Sequence, residues 1–196
     1  MKRITFMALA ALVLVSCADR NYSITAEFPI SAGLDGQMFQ LINYDNDEVI
    51  DSVVAVNNRI CFEGKVVKPY AAALKAPSGG QLPFVLESGV IMIDPMGNIS
   101  GTPSNDALRE FKTEMNAVKF DTILTRAEKE TLMTNMLDST FEANKENLVG
   151  YYVFLAIMER KNKVELDSLL KVLPAMYSNS ILVTDRVKFL VQSELT

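Results

Sequence analysis

The chain has 196 residues, two cysteines, no histidine and a formal net charge of −5. Without histidine there is no Ser-His-Asp or Cys-His nucleophile pair and no imidazole metal ligand. An acidic surface with no basic cluster argues against nucleic acid as a partner.

The first element is a leader. Lys2 and Arg3 precede an uncharged run from Ile4 to Val15 that closes on the small Ser16. A basic start, a short apolar run and a small-residue cleavage site describe a secretory signal, and the run is well short of the roughly 20 residues a bilayer-crossing helix needs. Leu14-Val15-Ser16-Cys17 resembles the bacterial lipoprotein signal, in which the cysteine is acylated and becomes the new N-terminus. The expectation is a signal peptide over 1–16 and a lipidated Cys17 with a short tether to residue 21. That places the protein in the cell envelope, held to the outer membrane by lipid, most naturally on its periplasmic side. Loss of Lys2 and Arg3 leaves 17 basic against 24 acidic residues, a net of −7. A mature chain of about 180 residues buries close to 70% of its unfolded surface, enough for one good core or two small ones.

From Tyr22 the pattern has the two-residue period of strands. Tyr22, Ile24, Ala26 and Phe28 alternate with Ser23, Thr25 and Glu27. Asp35-Gly36 marks a turn before a strand from Met38 to Tyr44, and Val49 to Val56 follows. Asn57-Asn58 supplies the positive φ angles of a tight hairpin. Beyond it Ile60, Phe62, Gly64 and Val66 point one way, with Arg59, Cys61, Glu63 and Lys65 on the other. Tyr70 to Leu74, Leu82 to Glu87 and Val90 to Asp94 complete seven or eight short strands, which predict an antiparallel sandwich over residues 22–101.

At Pro103 the period changes. Ser104 or Asn105 is the expected cap of a helix burying Leu108, Phe111, Met115 and Val118. Thr125-Arg126-Ala127-Glu128 is a capping box for a second helix with Met133, Met136, Leu137 and Phe141 inward. Leu148 to Met158 is apolar nearly all round, so it is expected to be the most buried helix. A fourth stripe, Leu166, Leu169, Leu170 and Leu173, stops or kinks at Pro174. A fifth, Val187, Leu190 and Val191, takes Thr184 or Asp185 as its cap and runs to Thr196. The fold class is therefore α+β: a sandwich, then a helical segment over 104–196.

Several stretches carry a family resemblance. They are Gly33-Leu34-Asp35-Gly36-Gln37, Asp51-Ser52, Ile60-Cys61-Phe62-Glu63-Gly64, Phe84-Val85-Leu86-Glu87-Ser88-Gly89 and Gly101-Thr102-Pro103-Ser104-Asn105. The chain resembles the domain of unknown function that precedes a thioredoxin-like domain in many Gram-negative envelope lipoproteins. Asn147-Leu148-Val149-Gly150-Tyr151 resembles the helical linker between the two. Asn58 stands where that family usually has glycine. The resemblance implies an accessory, non-catalytic module that positions a thioredoxin-like domain, fused beyond Thr196 or on a separate chain. It supplies no catalytic residue and no cofactor. The alternative is a free-standing lipoprotein whose sandwich binds a small molecule or glycan; an aromatic-lined groove would favour it.

Candidate sites are few. After acylation of Cys17, Cys61 is the lone thiol, so neither a CxxC pair nor an internal disulfide can form. Neither a GxGxxG nor a GxxxxGK[ST] pattern occurs. Cys61 lies between Arg59 and Glu63; it is either a reactive thiol whose pKa the arginine lowers or, the favoured expectation, a small apolar side chain covered by the helices. Asp45-Asn46-Asp47-Glu48 offers oxygen ligands to a hard cation, but it lacks the glycine and distal glutamate of a calcium loop, so a solvated hairpin tip is expected. Glu87 has no partner carboxylate for acid–base chemistry. Asp, then Ser or Thr, then an aliphatic residue or threonine recurs at Asp51-Ser52-Val53, Asp121-Thr122-Ile123, Asp138-Ser139-Thr140 and Asp167-Ser168-Leu169. The triplet resembles an envelope O-glycosylation signal; helix caps and turns are the competing account.

Overall fold

The structure is a computed structural model that describes residues 21–193. The signal peptide, Cys17 and the last three residues of the fifth stripe lie outside the described residues. Eight strands form two four-stranded sheets. The first sheet has the order β4-β1-β7-β8, with β1 Asn21–Glu27, β4 Arg59–Lys65, β7 Gly89–Ile93 and β8 Ile99–Ser100. The second has the order β3-β2-β5-β6, with β2 Met38–Asn43, β3 Val49–Val54, β5 Tyr70–Lys75 and β6 Gln81–Leu86. The expected α+β class and sandwich are present. Every ladder is antiparallel except β1 with β7, which run parallel from Tyr22 opposite Gly89 to Ala26 opposite Ile93. Between them the chain crosses to the second sheet for β2 and β3, returns for β4, and crosses again for β5 and β6 before β7 enters beside β1.

Alternation buries one face of each strand of the first sheet. Tyr22, Ile24, Ala26, Ile60, Phe62, Ile91 and Ile93 meet Phe39, Leu41, Leu74, Phe84 and Leu86 of the second sheet in a single core. Each large aliphatic or aromatic group removed from water there contributes about 1.5–3 kcal/mol. The Asn57-Asn58 hairpin forms as expected, with φ of 54° and 56°. Asparagine tolerates the left-handed region better than other non-glycine residues, so Asn58 serves where a glycine would also fit.

The second sheet, although its edge strand β3 is exposed, is buried on both faces along β5 and β6. Its outward Ala71 and Val85 lie beneath helices, Ala71 with Phe141, Tyr151 and Phe154 and Val85 with Leu108 and Val149. The molecule thus has three layers: open sheet, covered sheet, helices. The helices are α1 Pro103–Phe120, α2 Arg126–Asn144, α3 Leu148–Met158, α4 Lys163–Leu170, α5 Ala175–Ser178 and α6 Ile181–Ser193. The Thr125–Glu128 capping box opens α2, and a second box, Asn162 with Glu165, opens α4. α3 is the most buried helix, as its composition predicts. Pro174 lies after the end of α4 and caps α5. Gly150 allows α3 to start against the end of α2, because a Cβ there would come within 2.1 Å of the Asn144 carbonyl oxygen.

Two helix starts differ from expectation. The N-cap of α1 is Thr102, with Pro103 in the first turn, because Ser104 and Asn105 are drawn to the sandwich instead. α6 begins at Ile181, ahead of Thr184 and Asp185. Among the described residues no helix is long and apolar enough to cross a membrane.

Candidate functional site

Two carboxylates that the sequence offered as possible chemistry, Glu87 and Asp45, are engaged where sandwich meets helices. Glu87 follows β6, and its two carboxylate oxygens accept from the Ser104 amide at 2.8 Å and the Ser104 hydroxyl at 2.9 Å. A carboxylate at a helix N-terminus satisfies an orphan N–H and meets the positive end of the dipole. Beside it the Asn105 side chain mimics a strand: its Oδ1 accepts from the Val85 amide at 2.9 Å, and its Nδ2 donates to the Val85 carbonyl at 2.8 Å. Nδ2 also reaches Thr102 Oγ1 at 2.8 Å. The chain can turn into this clamp because Gly101 has a φ of 99°, and a Cβ there would strike the Val90 carbonyl oxygen. Phe84–Gly89 and Gly101–Asn105, two of the stretches behind the family resemblance, are therefore two halves of one joint.

The second joint uses Asp45, which turns inward from the β2–β3 connection. Its carboxylate accepts from the Ile181 amide at 2.8 Å, the Leu182 amide at 3.3 Å and the Ser180 hydroxyl at 2.6 Å. The Tyr151 hydroxyl lies 3.1 Å from Asp45 Oδ1 and 3.0 Å from Ser180 Oγ. Burial raises the Tyr151 phenol well above its ordinary pKa, with the Asp45 charge adding to the effect. Asp45 is thus a helix cap supplied from another element and not part of a solvated tip. Asn46 and Asp47 serve the loop, accepting from the Glu48 amide and the Gln81 side chain. Among the described residues no group of three His, Cys, Asp or Glu side chains is placed to hold a metal ion.

A cleft of about 240 Å³ opens beside this joint, with Asn43, Tyr70, Tyr151 and Asn179 among its walls. Deeper in the interface Tyr152 donates to the carbonyl oxygens of Ala72 and Phe84, pinning α3 to β5 and β6. Sequence reading missed Ser180, although a serine just ahead of an apolar run is a helix-cap signal and its Oγ accepts from the Val183 amide at 3.2 Å. The bonds of Tyr151 and Ser180 to Asp45 are not legible locally, because that carboxylate comes from the β2–β3 connection.

Cys61 corrects the favoured expectation. It is exposed and unpaired, since the helices roof the second sheet and leave its own sheet open. It lies level with Thr25 of β1 and Met92 of β7, and Met92 is 51% exposed. Arg59, the cation expected to assist a thiolate, lies 3.8 Å from Glu27. The four hydroxyl positions do not converge: Ser52 lies on the edge strand β3, Thr122 between α1 and α2, Ser139 on α2 and Ser168 on α4. All four are exposed. Asp121 caps the end of its segment through the Ile123 and Leu124 amides, and Asp167 pairs with Lys163.

No curated protein and no solved structure matches the chain. The region that is recognised ends just past the first joint: residues 22–108, the sandwich and the opening of α1, match the family model described as a domain of unknown function (DUF4369).

Proposed function

We propose that this chain is an accessory, non-catalytic lipoprotein module of an envelope thiol-disulfide system, anchored through Cys17 and positioning a thioredoxin-like domain. The observation that carries this reading is the commitment of Asp45 and Glu87 to helix N-termini. Carboxylates saturated in this way hold the helical layer rigidly on the second sheet and are poor candidates for proton transfer. A rigid joint is what a positioning module needs. The docking surface in this reading is the open face of the first sheet, where Val90 and Met92 are both more than half exposed beside Cys61.

Photo-cross-linking tests it. A cross-linking side chain at Thr25 or Met92, in cells that carry the native envelope, is expected to join this protein to a thioredoxin-like domain identified by mass spectrometry. Cross-links to lipid or solvent alone, with intact protein on the membrane, sink the reading. The second reading, a lipoprotein that binds a small molecule or glycan, is favoured by Tyr70 and Tyr151 in the cleft beside Asp45. It predicts no cross-link from the open sheet.

A further inference from the structure

Where α1 passes over Pro83 and Phe84 of β6 and the turn into β8, a cleft of about 110 Å³ remains. Its floor is apolar, formed by Phe84, Ile99 and Leu108, all buried. Its rim on the helix side carries Arg109, Lys112 and Asn116. Their spacing of three and then four residues puts them on one helix face, so three donor side chains overhang one apolar floor.

The charges there are not balanced within the molecule. The Arg109 guanidinium touches Asp106 at 3.3 Å through one nitrogen and keeps its other donors. Asp106 also accepts from the Gly101 amide at 3.1 Å. Neither the Lys112 ammonium nor the Asn116 amide has a hydrogen-bond or ion-pair partner among the described residues. Lys112 is exposed as a residue, yet partial burial of its ammonium pulls its pKa below the ordinary lysine value. Nearby carboxylates are directed elsewhere. Asp94 is held by the Met96 and Asn98 amides of its own turn, and Glu110 and Glu114 line a neighbouring groove. A partly dehydrated cation with no counter-charge is costly, and an anion seated beside it offsets that cost.

We propose that this cleft binds a small organic carboxylate, its carboxylate on Lys112 and Asn116 with help from Arg109, its short apolar body over Leu108 and Ile99. A phosphate is the poorer fit. Phosphate sites gather free backbone N–H groups, and the Gly97 N–H in this turn already donates to the Asp94 carbonyl. The site lies away from the open sheet face, so the proposal goes beyond the accessory reading and does not rest on it.

Saturation-transfer NMR on the purified full-length protein, with butyrate as the probe, tests the idea. Butylammonium and inorganic phosphate at equal concentration serve as controls for charge and geometry. Butyrate is expected to bind, with Lys112→Gln raising its half-saturating concentration about tenfold, the loss of one charge-assisted hydrogen bond. Arg109→Gln should raise it severalfold. Neither variant should lower the melting temperature, since Lys112 has no partner to lose and Arg109 loses only an exposed ion pair with Asp106. Absence of butyrate binding, equal binding of butylammonium, an affinity unmoved by Lys112→Gln, or tighter binding of phosphate than of butyrate each overturns the proposal.

Discussion

The Asp45 carboxylate lies 2.6 Å from the hydroxyl oxygen of Ser180, 135 residues further along the chain. This contact ties the β2–β3 connection to the start of α6, and the Tyr151 hydroxyl closes it into a three-membered network. Removing the carboxylate leaves two helix N–H groups without their cap and two hydroxyls without their acceptor. Asp45→Ala is therefore expected to cost about 2–3 kcal/mol of unfolding free energy in urea. Glu48→Gln, three residues further along the same connection and exposed, should cost less than about 0.5 kcal/mol. Equal effects of the two would show that Asp45 is a surface charge and no more.

The joint at Glu87 makes a second, separate test. Glu87 is 9% exposed and meets both the amide and the hydroxyl of Ser104. Glu87→Ala should cost about 2 kcal/mol, and Ser104→Ala about 1 kcal/mol. Because the two substitutions remove partly the same interaction, the double variant should cost less than their sum by about 0.5–1 kcal/mol. Strict additivity would mean that the hydroxyl contact contributes nothing to stability.

These two joints also mark the limit of what the sequence reveals. The Thr125–Glu128 box is legible because donor and acceptor lie within one turn of each other. The caps from Asp45 and Glu87 are not, since each comes from a different element and no local spacing announces it. The early start of α6 is half legible: Ser180 caps it locally, its Oγ accepting from the Val183 amide at 3.2 Å, while Asp45 serves the Ile181 and Leu182 amides from another element. Strand alternation fixed which way Cys61 points. It could not say whether anything roofs that side, because the helices had an equal choice of two sheet faces. They chose the one where Ala71, Ala73 and Val85 allow close approach. The parallel β1–β7 pair escaped for a related reason: alternation identifies a strand and its buried face, never the direction of its neighbour.

Alkaline pH should unfold the helical layer. Burial raises the phenols of Tyr151 and Tyr152, and pushes Tyr177 up to about 12 with Glu146 adding to the effect. A phenol whose folded pKa exceeds its unfolded value leaves stability intact below about pH 10, then removes it as pH rises towards the folded value. Tyrosinate absorbance from these three residues is thus expected to appear together with loss of helical circular dichroism, above pH 10. Their ionisation with the helices intact would show that the phenols are reached by water. Tyr177→Phe, which loses a 2.9 Å bond to the Lys145 carbonyl, should cost about 1 kcal/mol at neutral pH.

The intact mass of the protein from its native cells tests both modifications expected from sequence. A lipid on Cys17 should be lost, or the precursor left unprocessed, in Cys17→Ser. Any further mass excess should fall when Ser52, Thr122, Ser139 and Ser168 are changed to Ala together. Ser52 and Thr122 are the better acceptors, because the hydroxyls of Ser139 and Ser168 already bond back to Met136 and Val164 on their own helices. A native protein with no mass beyond the lipidated polypeptide removes the sugar reading.

Cys61 supplies the last prediction. Dithiol exchange needs one thiolate to attack and a second thiol to resolve the mixed disulfide. Residues 18–196 carry one thiol, and that thiol stands mid-strand on an open sheet, away from the helical layer whose N-termini favour thiolates. Arg59, the cation two residues away on the same strand, is drawn to Glu27. Purified residues 18–196 are therefore expected not to turn over a protein disulfide with dithiothreitol as the reductant. Cys61→Ser should leave unfolding free energy within about 0.5 kcal/mol of wild type, since the side chain is exposed and packs against nothing that the change disturbs. Exposure does leave the Cys61 thiolate open to attack the oxidised CxxC disulfide of a thioredoxin-like partner docked on the same face, forming one mixed disulfide and releasing the partner's other sulfur as a thiolate. A covalent adduct that forms once and stops is compatible with the accessory reading. Multiple turnovers that vanish in Cys61→Ser would make the chain an enzyme and overturn it.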